Sequence, residues 1–488
     1  KDLEKLTAAL QKEGINVVLD FVFNHTSDEH AWAKAALSGD KQYQDYYYLF
    51  DDRSIPDQYE HTLREIFPQV RRGSFTFNEA MEKWVWTTFN SFQWDLNYSN
   101  PEVFNAITSE MLFLANLGCA ALRLDALAFI WKEMGTNCEN QEKAHVLIQA
   151  FNCCLQIVAP AVVFKSEAIV HPDEVLKYID KDECQLSYNP LLMALLWNSL
   201  ATRKTRLLTN SMKKSFAISD DCTWVNYVRC HDDIGWTFDD AVASELGINS
   251  FDHRYFLNQF YTGRFEGSFA NGVPFAENPS NGDCRVCGSL ASLCGLEGAI
   301  EANDPQAIDE AVKRMLLLYG ITFSIGGIPL LYSSDEIAKL NDYSYRLDET
   351  KSHDDRWVNR IAVHSEDTAL ALGTTTPENE AQTASLQVFE GLKQMIAIRK
   401  QHAIFGQSKT HILDTDNQHC FAFLRENTEG QKLLVICNFS EHPQSLHRSL
   451  LATLKQSASK DLLTDETVDM ESSPLELAPY QQMWLQPV

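Results

Sequence analysis

The feature that most constrains the fold is a helix-then-strand unit that occurs more than once along the chain. In its first copy, Leu3, Leu6 and Leu10 share one helix face. Gly14 can end that helix in the left-handed conformation, and residues 16–23 form an apolar, β-rich run. Because a helix that leads into a short buried strand is the building block of a parallel sheet, the unit predicts an α/β fold.

The second copy carries clearer end signals. Asn100 is a favourable N-cap and Pro101 fits the first helical turn. Apolar residues then recur at helical spacing until Gly118, and residues 120–126 form the next predicted strand. Further short apolar runs, separated by helical stretches, end at or near residues 167, 189, 229 and 332. Six strands in this order predict a parallel barrel.

Two long polar segments and a change of pattern divide the chain. Residues 26–90 are too many for a strand–helix loop and predict an inserted subdomain, as do residues 234–289, which are rich in glycine, asparagine and aromatic residues. After about residue 405, short alternating runs predict a C-terminal antiparallel β-sandwich. The predicted domains are the barrel start 1–25, the insert 26–90, the barrel 91–233, the second insert 234–289, the barrel end 290–404 and the β-sandwich 405–488.

The charge balance excludes some classes of partner. The chain has 41 Lys and Arg against 67 Asp and Glu, a formal net charge of −26. Such a chain repels phosphate backbones and anionic headgroups, so we expect neither nucleic acid nor membrane as a partner. The apolar run 315–332 is interrupted by glycine and proline and predicts a buried helix and strand. Twelve cysteines in a chain far longer than a disulfide-stapled secreted domain predict reduced thiols and a cytoplasmic location.

Charged residues stand at the ends of three predicted strands. Arg123 and Asp125 are two apart on one strand and therefore share a face. Glu167 ends the next strand, and Asp232 follows a later one. Because the carboxyl ends of barrel strands form one catalytic rim, these carboxylates can converge there. Taken singly, each also has a structural interpretation: an ion pair for Asp125, a helix-terminal charge for Glu167 and a turn residue for Asp232.

Four ordered motifs resemble glycoside hydrolase family 13 (GH13), the α-amylase family. They are Asp20–His25, Arg123–Asp125, Lys165–Glu167 and His231–Asp232. Further segments are similar to amylosucrases within that family, namely Arg64–Pro68, Trp84–Asp95, Glu167–Pro172, Asp232–Trp236 and Gly282–Arg285. The resemblance covers almost the whole chain. It implies a (β/α)8 TIM barrel with inserted subdomains and a C-terminal β-sandwich.

The resemblance also implies roles for the motif residues. Asp125 would be the nucleophile, Glu167 the general acid/base and Asp232 the transition-state stabiliser. The implied substrate-binding residues are His25, Arg64, Phe89, Arg123, His231, Asp233, Arg254, Arg285 and Arg356. Neither a metal nor another cofactor is implied. Asn24 stands where many amylases bind calcium, but amylosucrases as a group do not depend on calcium, so we favour a side chain that anchors its loop.

These roles define an expected reaction of the retaining type, in which two carboxylates flank the scissile bond. The expected donor is sucrose, the released product fructose, and the acceptor an α-1,4-glucan such as glycogen or a maltooligosaccharide. A sucrose hydrolase of the same subfamily would use water instead of glucan. More distant alternatives are an amylase acting on starch and a non-catalytic glucan-binding protein. The fructose-side residues argue against the former, and the three carboxylates argue against the latter.

Some positions depart from the amylosucrase pattern. Ala276 stands where the resemblance suggests a glutamine on the acceptor or fructose side. Ser334 replaces a glycine, and Cys230 replaces a serine. Since six of eight barrel strands are recognised, we expect the first two to lie upstream of Lys1, so that this chain alone is an incomplete barrel. An aspartate and a tyrosine expected near Arg356 would lie there too, and we expect Arg356 to lack that carboxylate partner.

Overall fold

The computed structural model describes residues 1–66, 71–168, 171–278, 281–454, 458–469 and 474–488. Contacts along the chain divide it into two compact units, residues 1–188 with 218–223, and residues 189–217 with 224–488. Two of the amylosucrase-like segments extend beyond the described residues, at 67–68 and at 169–170. Across the described ranges, no helix is both long and apolar enough to cross a membrane.

The first unit contains a parallel sheet whose strands follow chain order. Among its described residues these strands are Val18–Val22, Ala121–Asp125, Val163–Ser166 and Leu186–Tyr188. The helices Pro101–Asn116 and Glu142–Val158 each connect one strand to the next, as parallel pairing requires. Four of the six predicted strands are thereby confirmed.

The predicted ends of the helix Pro101–Asn116 are confirmed in atomic detail. The side chain of Asn100 accepts a hydrogen bond from the Glu102 amide at 3.0 Å. Gly118 has φ 91°, a left-handed backbone that a glycine adopts without a steric penalty. The local capping rules therefore set where this helix begins and ends.

The strand register places charged residues side by side across the sheet. Asp20 lies opposite Arg123, and Arg123 lies opposite Lys165. Since side chains alternate along a strand, Asp125 shares the face of Arg123, whereas Leu122 and Leu124 point to the other face and are buried. The charged side chains therefore lie on one face of the sheet and the buried leucines on the other, and neighbouring residues of the strand alternate between the two faces.

The remaining elements of the first unit lie before and between these four strands along the chain. Residues 49–86 include a small antiparallel sheet whose core is Phe75, Trp86 and Cys138. The strand His25–Ser27 pairs with Gln93–Asp95. The small sheet is formed by Leu49–Phe50, Lys83–Trp86 and Phe75–Asn78. The other helices are Asp2–Lys12, Ala31–Leu37, Lys41–Gln44, Ser54–Glu60, Leu127–Phe129 (3-10) and Pro172–Tyr178.

The second unit also contains a parallel pair, Thr223–Tyr227 with Ile328–Leu330; the first residue of this pair, Thr223, belongs to the first unit. These are the two remaining predicted strands. The antiparallel pair Val273–Phe275 and Arg285–Cys287 lies between them in the chain. The helices of the second unit are Pro190–Thr202, Arg206–Ser215, Asp240–Glu245, Ser250–Tyr261, Leu290–Leu293, Leu296–Glu301, Pro305–Ser324, Ser365–Ala371 and Glu380–Gln401. Its 3-10 turns are Asp335–Ile337, Tyr343–Leu347, Asp355–Asn359, Ala403–Phe405 and Arg448–Leu454.

The C-terminal region of the second unit is antiparallel, as predicted. Its described residues form a sheet in the order Ser408–Leu413, Cys420–Asn427, Lys432–Asn438, Gln482–Pro487, Ala458–Asp461 and Thr467–Asp469. A separate pair joins Gln444–Leu446 to Leu475–Leu477. Leucines from both sheets, including Leu434, Leu446 and Leu477, share one buried cluster. The two sheets therefore enclose a common core.

All twelve cysteines of the chain are free thiols. Most of them are buried, and burial raises the pKa of several, including Cys184 and Cys437. The absence of disulfides agrees with the expectation of reduced thiols. The stability of both units therefore comes from packing and hydrogen bonding instead of covalent cross-links.

Candidate active site

One guanidinium joins three carboxylates in the first unit. Asp125 is the last residue of its strand, and Glu167 directly follows the next one. Arg123 Nη1 donates to Asp125 Oδ1 at 2.9 Å and to Asp20 Oδ1 at 2.8 Å. Arg123 Nη2 lies 3.9 Å from Glu167 Oε1. The two residues expected to carry the chemistry of this unit therefore share one cation.

The environment keeps this guanidinium charged. Burial opposes its charge, since its side chain is only 10% exposed, but Glu167, Asp125 and Asp20 outweigh burial and raise the pKa of Arg123. Asp125 does form an ion pair with Arg123, as its structural interpretation predicted. However, its side chain remains 28% exposed, so the carboxylate is accessible as well as paired. A charged, accessible carboxylate held by an arginine is suited to nucleophilic attack.

The backbone turns sharply after Asp125. Ala126 has φ 54°, in the left-handed region that costs an L residue roughly 1–2 kcal/mol. Its amide donates to Glu167 Oε2 at 3.4 Å. Glu167 itself lies in a loop, and the next helix begins at Pro172, so the helix-terminal interpretation of Glu167 is wrong. Backbone strain of this kind concentrates at functional sites.

A buried lysine and a tyrosine adjoin this cluster. Lys165 lies on the strand Val163–Ser166, opposite Arg123 in the register and two residues before Glu167. Its Nζ lies 3.2 Å from the centre of the Tyr188 ring, and the Arg123 guanidinium lies 5.8 Å from that centre. The sequence motif included Lys165 without a role and missed Tyr188. An aromatic residue at the end of the neighbouring strand was the available signal.

His25 and Phe89 lie together, as the resemblance implied for a sugar-binding pair. Their ring centres are 5.3 Å apart. His25 Nε2 is 2.8 Å from Gln93 Nε2. Burial lowers the pKa of His25, although Asp95 and Asp125 oppose this shift. The imidazole is therefore neutral at neutral pH and can exchange hydrogen bonds with a sugar hydroxyl.

A buried ion pair supports His25. The Asp95 carboxylate is completely buried and lies 2.6 Å from Lys132 Nζ. It also accepts hydrogen bonds from the Thr88 amide at 2.9 Å and from Asn24 Nδ2 at 3.3 Å. Asn24 thus anchors its loop, which is the interpretation we favoured. Lys132 was missed, although a lysine directly after the apolar run 126–131 is a signal for a buried charge that needs a partner.

Arg64 makes a two-point contact with a carboxylate. Its Nε and Nη2 donate to the two oxygens of Glu139 at 3.0 and 2.9 Å. Arg64 and Glu139 line a small cavity together with Thr88, Phe129 and other residues of the first unit. Since Phe129 also contacts Phe89, with ring centres 5.2 Å apart, Arg64 belongs to the surroundings of Phe89.

The second unit holds the other predicted carboxylate. Asp232 Oδ2 lies 3.2 Å from His231 Nε2. Its other oxygen, Oδ1, is 3.3 Å from Arg356 Nη1 and 3.4 Å from Arg360 Nη2. Arg360 Nε also donates to the His231 carbonyl at 2.9 Å. Asp232 is thus more than a turn residue, because two guanidiniums hold it in place.

Arg356 does not lack a carboxylate partner, contrary to our expectation. Its Nε and Nη2 donate to the two oxygens of Asp354 at 2.8 and 2.9 Å. Burial alone would raise the pKa of Asp354, but hydrogen bonds and charge from Arg356 outweigh burial and lower it. The physical reason for the error is local. Asp354 caps the 3-10 turn that follows it, and this brings its carboxylate onto Arg356.

A buried network lies behind the His231–Asp232 loop. Arg229 is fully buried, and its Nε donates to Asp335 Oδ1 at 2.7 Å. The other Asp335 oxygen accepts from the Tyr319 hydroxyl at 2.6 Å. Ser334, which replaces the usual glycine, has φ 87° and accepts from Arg229 at 3.4 Å. The chain therefore keeps a glycine-like backbone with a residue poorly suited to it.

The predicted fructose-side and acceptor residues differ in their contacts. Arg285 Nη1 lies 3.2 Å from Asp233 Oδ2, and burial raises the pKa of Asp233 while Arg285 opposes the shift. The structure thus brings these two residues together. Arg254 instead donates to the Trp236 carbonyl at 3.1 Å and also pairs with Asp240. Its guanidinium is partly committed to the protein's own backbone.

Known proteins match this chain along most of its length. Residues 1–234 match the α-amylase catalytic domain, and residues 411–486 match the amylosucrase C-terminal domain. The glucosylglycerate phosphorylase of Escherichia coli (strain K12) is 26% identical over 472 residues, which cover 96% of this chain and 78% of that protein. The trehalose synthase of Thermus thermophilus is 26% identical over 460 residues, covering 90% of this chain and 43% of that protein.

A solved structure gives the same result for the fold. The crystal structure of sucrose 6F-phosphate phosphorylase from Thermoanaerobacter thermosaccharolyticum matches with a TM-score of 0.67 at 17% identity, covering 98% of this chain and 85% of that one. The predicted fold class, a parallel α-amylase barrel sheet with a C-terminal antiparallel domain, is confirmed. Residues 1–234 therefore correspond to an α-amylase-type (GH13) catalytic domain, and residues 411–486 to an amylosucrase-like C-terminal domain.

Proposed function

We propose that this enzyme is a retaining transglucosidase that cleaves sucrose, releases fructose and transfers glucose to an α-1,4-glucan. The observation that carries the proposal is the arginine bridge. Arg123 contacts Asp125 at 2.9 Å and lies 3.9 Å from Glu167, so two carboxylates at neighbouring strand ends lie beside one guanidinium. Carboxylates close together in this way favour double displacement with retention.

The proposed first half-reaction uses these groups in turn. Glu167 protonates the oxygen that leaves with fructose, while Asp125 attacks the anomeric carbon of the glucosyl unit. Asp232 hydrogen-bonds sugar hydroxyls more strongly as positive charge develops at that carbon. Arg123 orients Asp125 through their hydrogen bond of 2.9 Å. The products are fructose and a covalent glucosyl-enzyme.

The proposed second half-reaction reverses the proton transfer. Glu167, now a carboxylate, removes a proton from the 4-hydroxyl of the glucan end. The resulting oxygen attacks the anomeric carbon and releases Asp125. The glucan is then one glucose longer. The amylosucrase-like C-terminal domain and the Asp233–Arg285 pair support a sucrose-type donor for this sequence of steps.

Phosphorolysis is a second candidate function, favoured by one observation. A glucosylglycerate phosphorylase is 26% identical over 96% of this chain. In this alternative, inorganic phosphate takes the glucosyl unit and glucose 1-phosphate is released. Hydrolysis, in which water takes it, is the third outcome. All three share Asp125 and Glu167, so only the acceptor separates them.

The deciding experiment incubates the enzyme with sucrose and either glycogen, phosphate or buffer alone, and resolves the products by chromatography. Transfer predicts fructose with little free glucose when glycogen is present, together with longer glucan chains. Glucose equal to fructose in the presence of glycogen would establish hydrolysis, and glucose 1-phosphate would establish phosphorolysis. Absence of fructose in all three mixtures would reject sucrose as the donor.

The roles of the two carboxylates can be separated with a donor whose leaving group needs no protonation. Glu167→Gln should lose turnover of sucrose but still release fluoride from α-glucosyl fluoride. Asp125→Asn should lose both reactions because it lacks the nucleophile. Rescue of Asp125→Asn by the fluoride, without rescue of Glu167→Gln, would mean that the assignments are reversed.

A further inference from the structure

Three consecutive side chains after the strand Thr223–Tyr227 place metal-binding atoms close together. One donor atom each from Cys230, His231 and Asp232 lies within 4.8 Å of the other two. His231 is 45% exposed and is therefore accessible from solvent. Cys230 is the residue that departs from the serine of the amylosucrase pattern, so this chain has a thiol where a hydroxyl is expected.

The donor set suits a soft divalent transition metal. Zinc binds thiolate sulfur at about 2.3 Å, imidazole nitrogen at about 2.0–2.1 Å and carboxylate oxygen at about 2.0–2.2 Å, usually with tetrahedral geometry. These bond lengths separate the donors by about 3.4–3.6 Å. His231 Nε2 and Asp232 Oδ2 are already 3.2 Å apart. Only small side-chain movements are needed to bring the Cys230 sulfur to the same point.

The arginines near Asp232 contact one of its carboxylate oxygens, and His231 contacts the other. Arg356 and Arg360 contact Asp232 through Oδ1, at 3.3 and 3.4 Å. The other oxygen, Oδ2, faces His231. A metal bound there receives two negative charges, from the Cys230 thiolate and from Asp232.

We propose that Cys230, His231 and Asp232 form an inhibitory site for a soft divalent metal of the zinc class. Binding releases the thiol proton of Cys230 to solvent, forms bonds to sulfur, nitrogen and oxygen, and leaves a fourth position for water. No electron is transferred. The metal occupies His231 and Asp232, two residues assigned above to the donor sugar, so it competes with substrate. The inhibition rests on the proposed function, whereas the metal binding does not.

Cobalt(II) gives a readout of binding that does not depend on activity. A thiolate bound to Co²⁺ produces a strong absorption band in the near ultraviolet, and tetrahedral Co²⁺ produces visible bands. The reduced protein, freed of reductant, is titrated with Co²⁺ and then with Zn²⁺, which should displace the cobalt. We expect one tight site per chain and loss of both sets of bands when Zn²⁺ is added.

Two serine variants make the test specific. Cys230→Ser restores the residue of the amylosucrase pattern and should abolish the near-ultraviolet band and weaken Zn²⁺ binding by at least about tenfold. Cys153→Ser removes an exposed cysteine on the helix Glu142–Val158 and should leave both unchanged. A band that survives in Cys230→Ser, or no thiolate band in the unaltered protein, would overturn the proposal.

Inhibition is measured separately as fructose release from sucrose at increasing Zn²⁺. We expect competitive inhibition in the unaltered enzyme and in Cys153→Ser, and resistance in Cys230→Ser. Inhibition that is equal in all three proteins would reject this site as its cause. If sucrose proves not to be the donor, the cobalt titration still decides the metal site, so failure of the two proposals can be told apart.

Discussion

Replacing Arg123 tests whether one guanidinium organises the two carboxylates proposed to carry the reaction, Asp125 and Glu167. In Arg123→Gln, Asp125 loses a charge-assisted hydrogen bond of 2.9 Å, and Glu167 loses the cation 3.9 Å away. A hydrogen bond to a charged group contributes about 1.5–3 kcal/mol. If that loss falls entirely on the transition state, kcat decreases by about ten- to 150-fold, since 1.36 kcal/mol is a factor of ten.

The cost in stability should be smaller than for a fully buried ion pair. Asp20 is 60% exposed and Asp125 is 28% exposed, so water can solvate both carboxylates after the substitution. We therefore expect a loss of about 2 kcal/mol in the free energy of unfolding, below the roughly 3–5 kcal/mol of an unpaired charge in a core. Arg123→Lys should behave similarly, because a single ammonium cannot span three carboxylates as the planar guanidinium does.

The assay measures kcat for fructose release together with unfolding in urea, for both variants and for Arg53→Gln. Arg53 pairs with Asp57 and Glu60 in the helix Ser54–Glu60 and contacts none of the three bridged carboxylates, so it serves as the control for loss of an arginine ion pair. Only the Arg123 variants should lose activity. If Arg123→Gln is folded and keeps kcat within about threefold of the unaltered enzyme, the bridge has no catalytic importance.

Three further substitutions test other parts of the structure. Lys132→Met should lower the free energy of unfolding by about 3–5 kcal/mol, because Asp95 keeps a buried charge without its cation. Adding Asp95→Asn should recover part of this loss. A loss of less than about 1 kcal/mol in urea unfolding of Lys132→Met would contradict this. Ser334→Gly should raise stability by about 1 kcal/mol, since glycine adopts φ 87° without penalty, and a lower melting temperature would show that the side-chain contact matters more. Asp354 has a lowered pKa, so its contribution is present above the ordinary aspartate pKa of about 3.9 and is lost as pH falls through the folded pKa. The destabilisation by Asp354→Asn should therefore be larger at pH 7 than near pH 3, and an equal loss at both would point to a role other than the Arg356 ion pair.

Local sequence patterns correctly predicted the elements that depend on interactions between residues close to one another in the chain. The Asn100 cap, the Gly118 helix end and the strand ending at Asp125 each depend on residues within a few positions of one another. The same holds for the strand-end carboxylates, because a charged residue at the end of an apolar run is visible in the sequence. These features could be predicted without any knowledge of tertiary contacts.

Contacts between distant residues could not be predicted in the same way. Lys132 meets Asp95 across 37 positions, and neither residue has a pattern that names the other. The pairing of Arg356 with Asp354 was missed for a different reason. The family pattern supplied another partner, and the capping geometry of a short 3-10 turn outweighed that expectation. The errors therefore lie in the partners of charged residues and in the overlooked Lys132, whereas the strand-end positions of Asp125 and Glu167 were predicted.

The row formed by Asp20, Arg123 and Lys165 bears on how reliably the sheet assembles. A slip of one residue in either pairing would turn these charges toward the layer that holds Leu122 and Leu124. Such a misaligned chain would carry several uncompensated charges in its core and would be too unstable to accumulate. The charged residues beside the proposed nucleophile thus also favour the correct register of the strands that carry them. A variant selected only for a new substrate risks losing folding yield when it alters this row.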